Sequence, residues 1–310
     1  MLVESVAAKQ VRVFSTPDWL DRVCGANNWG ACIAFDKGGT VTGMMPYCFK
    51  RYLGKLVIRM PTLTPFLDVW INYPHGMRST ASQIRFRRKV MKELITGLPA
   101  TFYFSQQYSY SLTDWLPFYW QGFRQTTMYS YVFPAGKSVD VVWHEMKPET
   151  RNMLRRAARE LKVVGSPDID SFYQLNEESY RRKGLVIPYT KSFLLDLFNR
   201  FQAIGQAHIY FAEDANGVGC AGILVFSDHA TDYYLASGFD KKWAPPGAVQ
   251  LLLWHAIKSA LGRGKSFDFE GSMIPSIAAM FKGFGADQLA YSKIFKGQNR
   301  FIQALKILRR

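Results

Sequence analysis

The chain has 310 residues, with 39 Lys+Arg against 24 Asp+Glu, a formal net charge of +15, 48% apolar residues and 15% aromatic ones. That apolar content supports a large buried core and excludes wholesale disorder, and at roughly 100–200 residues per domain the length accommodates two domains. No apolar run approaches the roughly 18 residues that a bilayer-crossing helix needs, and Met1–Phe14 lacks the continuous apolar stretch of a signal peptide.

The elements follow in chain order from hydrophobic period and turn residues. Cys32–Asp36 and Val41–Cys48 flank Lys37-Gly38-Gly39 and read as a hairpin, with Lys55–Arg59 as a third strand. Ser79–Thr96 has helical spacing, Thr101–Ser105 reads as a strand, Leu112–Trp120 as a short helix and Gln125–Phe133 as an aromatic-rich strand. Helices are expected over Pro148–Leu161, Asp170–Arg182 and Lys191–Ala203, then strands over His208–Glu213, Gly219–Phe226 and Thr231–Ser237. Ala248–Leu261 repeats apolar residues at i, i+3, i+4, i+7, i+8 and i+11 and reads as a helix. Ser266–Phe269 is a short strand, Pro275–Lys282 a helix, Ala290–Phe295 a strand, and Phe301–Leu308 an amphipathic helix. Each half is therefore α+β. No G-x-G-x-x-G follows a strand, so a dinucleotide-binding βαβ reading is poor.

The charge is spread over the chain: residues 1–140 hold 16 cations and 8 acids, and residues 293–310 hold six cations and no acid. A field of this sign attracts polyanions, namely nucleic acid, an anionic lipid surface or phosphorylated substrates. Arg85, Arg87, Arg88, Lys89 and Lys92 form the densest cluster; four of them share one helix face, which reads as a phosphate or membrane-surface patch or as a plain solvated face. Cys24, Cys32, Cys48 and Cys220 contain no C-x-x-C pair; they read as buried free thiols in a reducing, hence cytoplasmic, compartment. The five histidines are scattered with no H-E-x-x-H, so no metal is expected. No G-x-S-x-G elbow or Cys–His pairing supports covalent catalysis.

The stretch from Tyr233 to Phe295 carries the most information. It contains Pro245-Pro246-Gly247-Ala248 before a long helix, then Phe267-Asp268-Phe269-Glu270-Gly271-Ser272, then Phe281-Lys282-Gly283-Phe284-Gly285. The unpaired N–H groups of a helix start at Gly247 and Ala248 offer an anion site, against the plain reading of a Pro-led helix start. This order resembles the C-terminal half of the FemABX-like branch of the GNAT superfamily. Arg151–Ala157, Phe172-Tyr173, Tyr180–Gly184 and Pro188-Tyr189 extend the resemblance over about residues 145–296, and Pro61-Thr62-Leu63-Thr64-Pro65 carries a weaker one in the first half.

The resemblance implies two tandem GNAT-like domains, mixed and largely antiparallel sheets flanked by helices, at 1–140 and 141–310, with a substrate cleft between them. It implies transfer of an acyl or aminoacyl group to an amine, with aminoacyl-tRNA or acyl-CoA as donor, no permanently bound cofactor, and an anionic nucleotide- or phosphate-linked precursor as acceptor. tRNA and the inner membrane surface are the implied macromolecular partners. The chain departs from the family in lacking a long coiled-coil arm, and Trp243–Ala248 does not match the Arg/Gln-x-x-Gly-x-Gly/Ala loop with which GNAT enzymes hold CoA pyrophosphate.

The resemblance assigns Phe281 and Lys282 to the pair used for transfer, with Lys282 meeting the oxyanion or leaving group. Glu270, at a strand end, suits acceptance of the amine's proton, and Asp268 suits either substrate or loop N–H groups. Arg182 and Lys183 suit a diphosphate. Tyr233, Tyr234 and Tyr291 lie on strand signals, as donors to a leaving group or as core aromatics. Two alternatives stand beside envelope-precursor transfer: an acyl-CoA-dependent N-acetyltransferase, and a non-catalytic basic module that binds RNA or a membrane surface.

Overall fold

The structure is a computed structural model in which residues 11–297 are described. The chain forms two compact units, the first ending at Met128 and resuming at Ala290, the second spanning Tyr129–Leu289. The boundary expected at 140/141 lies within the second unit, and the last strand returns to the first.

In the first unit, α1 (Pro17–Cys24) starts at Thr16, whose hydroxyl accepts from Trp19 N, with Pro17 at the first helical position. Strands β1 (Trp29–Phe35) and β2 (Val41–Tyr52) pair antiparallel around a turn in which Asp36 Oδ1 accepts from Gly38 N and Thr40 N. β3 (Lys55–Arg59) continues the meander, and β4 (Trp70–Ile71) pairs with β2. Helix α2 (Thr80–Thr96), capped by Ser79, carries the chain over to β5 (Tyr103–Tyr108), which runs parallel to β3; a parallel pair requires such a crossover. α3 (Leu116–Tyr119) follows, and β12 (Asp287–Gly297) pairs antiparallel with β5 from Ser292 onward. Ile58, Met91, Leu94, Phe104, Phe118 and Ile294 belong to the buried cluster between α2 and this sheet.

Cys24 at the end of α1 is bonded to Cys48 in β2, with Cα atoms 6.4 Å apart. This corrects the reading of four free thiols. The hairpin turn folds Cys48 back beside the helix end, a juxtaposition that 24 residues of separation hide in the sequence. Cys32 and Cys220 are buried free thiols; burial pushes Cys32 up to about 12 and raises Cys220 as well. The cysteine argument for a reducing compartment therefore keeps only two of its four residues.

In the second unit, β6 (Arg124–Phe133) enters at Tyr129. Then come α4 (Val139–Glu145), α5 (Pro148–Glu160), β7 (Lys162–Gly165), α6 (Ile169–Arg181) and α7 (Lys191–Gln202). β8 (Ala207–Glu213), β9 (Gly219–Ser227) and β10 (Thr231–Phe239) form an antiparallel meander; α8 (Ala248–Gly262) crosses over to β11 (Ser266–Asp268), and α9 (Pro275–Gly283) follows. The strand order is β6-β11-β10-β9-β8-β7, with β10 and β11 parallel and the other pairs antiparallel. β9 is covered on both faces and reads accordingly as an almost continuous apolar run. α8 is apolar nearly all round because it lies against strands of this sheet on one side and α5 on the other.

The strands and helices expected between Cys32 and Phe295 are present. Five elements were not anticipated: a 3-10 turn at Val13–Ser15; α1, rich in charge; β4, two residues long; α4, just beyond a Pro-Ala-Gly turn; and β7, a short edge strand. The expected helix over Phe301–Leu308 lies outside the described residues. Among the described residues, no helix is long and apolar enough to cross a membrane.

Candidate active site

The parallel ladder between β10 and β11 holds only three registered pairs and ends at Tyr233↔Asp268. β10 continues for six residues beyond it, and its pairing with β9 skips Leu235 at a bulge between Tyr234 and Ala236. The two strands therefore part at the C-terminal end of the parallel pair, the edge at which open sheets bind ligands.

Phe281 fills this opening. Its ring lies 4.6 Å from Phe269, just past β11, 6.2 Å from Tyr234 on β10, and 5.9 Å from Tyr131 on β6. It is 2% exposed, so it wedges the site rather than meeting substrate. Lys282, one position along the last turn of α9, is exposed and makes no side-chain hydrogen bond or ion pair among the described residues. On its other side Gly283 comes close to the start of α5: its carbonyl accepts from Lys147 N, and a Cβ there would lie 2.8 Å from Thr150 Oγ1. Lys282 is thus held between two anchored neighbours, and its ammonium suits the negative end of the helix dipole.

Glu270, two residues past β11, lies in the left-handed region at φ 62°, rare for a residue with a Cβ. The conformation is imposed by its surroundings. Asp268 Oδ1 accepts from Glu270 N at 2.9 Å and from the Ser130 hydroxyl at 2.5 Å, and Phe269 N donates to Tyr131 O. Gly271, also left-handed, passes so close to β6 that a Cβ would lie 2.0 Å from Tyr129 O. Backbone strain of this kind, about 1–3 kcal/mol per residue, persists where function needs the geometry. Asp268 itself is 0% exposed. Its carboxylate holds the loop, the second of the two roles the sequence offered for it.

Strand alternation separates the tyrosines. Tyr233 faces the core at 0% exposure and donates to Asp228 Oδ2 at 2.8 Å, so it is structural. Tyr234 turns to the opposite face, toward Phe281, and its hydroxyl donates to Ser237 Oγ at 2.5 Å; burial pushes its pKa up to about 12, so it stays protonated as a donor. Behind it runs a network that sequence reasoning did not find. Asn176 Nδ2 donates to Ser237 O, Tyr189 OH donates to Asn176 Oδ1, and Tyr173 OH donates to Tyr189 O. Gly238 permits this approach, since a Cβ would lie 2.2 Å from Asn176 N. Tyr173 and Tyr189 carried a family signal, but no local pattern marks Asn176 or Ser237.

The remaining candidates lie apart from this cluster or are already engaged. Arg182 Nη1 donates to Phe239 O at 2.6 Å and Nη2 to Ser179 Oγ, and its guanidinium sits 4.2 Å from the Phe239 ring centroid. It clamps the end of β10 to α6. Lys183 is exposed beside it. Gly247 and Ala248 are buried: Gly247, at φ 97°, lies against Met153 and Ala157 of α5, and Ala248 N already donates to Pro245 O. That helix start is packed rather than open. Tyr291 is half-buried on β12 in the first unit. Among the described residues no group of His, Cys, Asp and Glu has the arrangement to hold a metal.

Residues 148–273 match the family profile of the GNAT acetyltransferase domain. No curated protein matches the chain by sequence. Among solved structures, FemX aligns with a TM-score of 0.66 at 13% identity over 97% of each chain. The C-terminal domain of a putative lysylphosphatidylglycerol synthetase from Agrobacterium fabrum aligns with a TM-score of 0.57 at 12% identity, over 98% of this chain and 93% of that one. L-PGS from Bacillus licheniformis aligns at 0.52 and 12% identity, over 89% and 87%. The matched stretch runs from α5 to just beyond β11 and so includes the end of the β10–β11 ladder. The likeness to FemX is one of fold: in this chain each unit sets one helix-linked parallel pair into an antiparallel sheet.

Proposed function

We propose that this chain transfers an acyl or aminoacyl group from an activated ester or thioester to an amine of a nucleotide- or phosphate-linked envelope or polysaccharide precursor. The observation that supports this reading is the Phe281 ring packed against Phe269 just past β11, with exposed Lys282 next to it in sequence on α9 and Glu270 left-handed two residues beyond the strand. The amine nitrogen attacks the carbonyl carbon, a C–N bond forms, and the C–O or C–S bond to the donor breaks. The Lys282 ammonium meets the oxygen as it becomes an oxyanion, and the amine's proton passes by way of Glu270 to the departing alkoxide or thiolate. Positioning and electrostatics suffice for such aminolysis, and one oxyanion donor is worth about 10²–10³ in rate.

The donor is an aminoacyl-tRNA or an acyl-CoA. The likeness to a structure named as a lysylphosphatidylglycerol synthetase supports the first. The matched domain's description as an acetyltransferase favours the second, whereas the packed start of α8 argues against a pyrophosphate there. Labelled aminoacyl-tRNA and labelled acetyl-CoA, each incubated with amine-bearing nucleotide-linked wall precursors, decide between them. Label appearing as a new amide, lost on Lys282→Ala, supports transfer. No transfer from either donor, or undiminished transfer by the variant, overturns it and leaves the non-catalytic reading.

A further inference from the structure

We propose that the first unit carries a docking face for an anionic lipid bilayer, formed by the outer side of α2 and the residues around the end of α3. This surface is independent of the transfer reading. Arg85, Lys89 and Lys92 are exposed on α2, on the side away from buried Val90, Met91, Leu94 and Ile95. Arg88, on the same outward side, joins them to a second feature. Its Nε lies 2.6 Å from Asp114 Oδ2, and its guanidinium lies 5.3 Å from the Trp120 ring centroid. Asp114 Oδ1 in turn accepts from Leu116 N, so the ion pair seats α3 beside the basic helix.

At that place three large apolar side chains stand in water: Leu116 is 36% exposed, Tyr119 59% and Trp120 60%. The face continues through Gln121, whose amide oxygen lies 3.5 Å from the Thr96 hydroxyl and whose carbonyl accepts from Lys296 Nζ at 2.7 Å. Six cations (Arg85, Arg87, Arg88, Lys89 and Lys92 on α2, with Lys296 beside Gln121) thus accompany the aromatic tip against two carboxylates, Asp114 and Glu93. Lys296 also falls within the stretch 293–310, whose sequence holds six cations and no acid.

The chemistry of this face matches a membrane surface. Trp and Tyr place amphipathic rings at headgroup level, a leucine beside them enters the acyl boundary, and lysines and arginines around them meet anionic headgroups. A nucleic acid would use the cations and could stack on the rings, but it has no counterpart for Leu116.

Flotation of the full chain with vesicles tests this, using phosphatidylcholine alone and phosphatidylcholine with about one-third phosphatidylglycerol, a strongly anionic surface. Binding to the anionic vesicles only is expected. Lys89→Glu with Lys92→Glu, and separately Trp120→Ala, should each weaken it about ten-fold or more. Unchanged melting of these exposed-site variants shows that they fold, and Trp120→Phe supplies a mild second probe. Brominated lipid should quench the fluorescence of the parent more than that of Trp120→Phe. Equal binding to neutral vesicles, or anionic binding untouched by all three variants, overturns the proposal. So does a result in which the charge reversals weaken duplex RNA binding while vesicle binding stays as it was.

Discussion

The rings of Phe269 and Phe281 lie 4.6 Å apart at the place where β10 and β11 separate. One residue follows the strand and the other sits in the last turn of α9, so this contact ties that turn, which also carries Lys282, to the end of β11. Phe281→Ala removes the wedge and should cost about 3–5 kcal/mol, the range for a buried aromatic truncated to a methyl group. Lys282→Ala, on the exposed side of the same turn, should change stability by less than about 0.5 kcal/mol. Chemical denaturation of the two variants checks the contrast; similar losses would mean that Lys282 is structural.

Asp268 holds the left-handed loop through the Ser130 hydroxyl and Glu270 N. Asp268→Ala should destabilise by about 1.5–3 kcal/mol, the range for hydrogen bonds to a charged group. Gly271→Ala, which must force Tyr129 O away, should cost more than about 1 kcal/mol. Urea midpoints of both variants measure these losses.

The bond between Cys24 and Cys48 closes a loop with 24 residues of sequence separation. Closing a loop of that length stabilises by about 3 kcal/mol in the chain-entropy account. Thermal melts with and without reductant should therefore differ, and the paired Cys24→Ser, Cys48→Ser variant should melt at the reduced temperature in both buffers.

His208 is held below its ordinary pKa of 6.5, first by burial and then by the Arg263 charge, and His255 is lowered by burial and Lys258. Such groups favour folding while neutral. Their contribution is complete above pH 6.5 and is lost as pH falls through their depressed folded-state values. Stability should decline between pH 6.5 and 5, where most carboxylates are still ionised, and the decline should be shallower in His208→Gln with His255→Gln. Denaturant titrations across that window measure both slopes.

The elements were legible because they are local. The i, i+3, i+4 spacing over residues 248–261 marks α8, and the Gly-rich turn at 37–39 marks the first hairpin. The Phe-Lys pair on α9 was legible through family likeness. The pairing of Cys24 with Cys48, the wedge made by Phe281 and the network through Asn176 and Ser237 were not. Each joins residues far apart in sequence, and no local spacing encodes such a meeting.

The chain's order of polar and apolar residues determined by itself that it forms two α+β halves with a basic surface, because hydrophobic period and turn chemistry act over a few residues. Only the tertiary structure decided which of two neighbouring tyrosines faces the opening. It also decided that Asp268 and Arg182 hold backbone rather than substrate, and that Lys282 stays exposed. Those outcomes depend on which strand lies beside which. The register of β10 on β11, three pairs that end at Tyr233 and Asp268, is fixed with α8 packed across both strands.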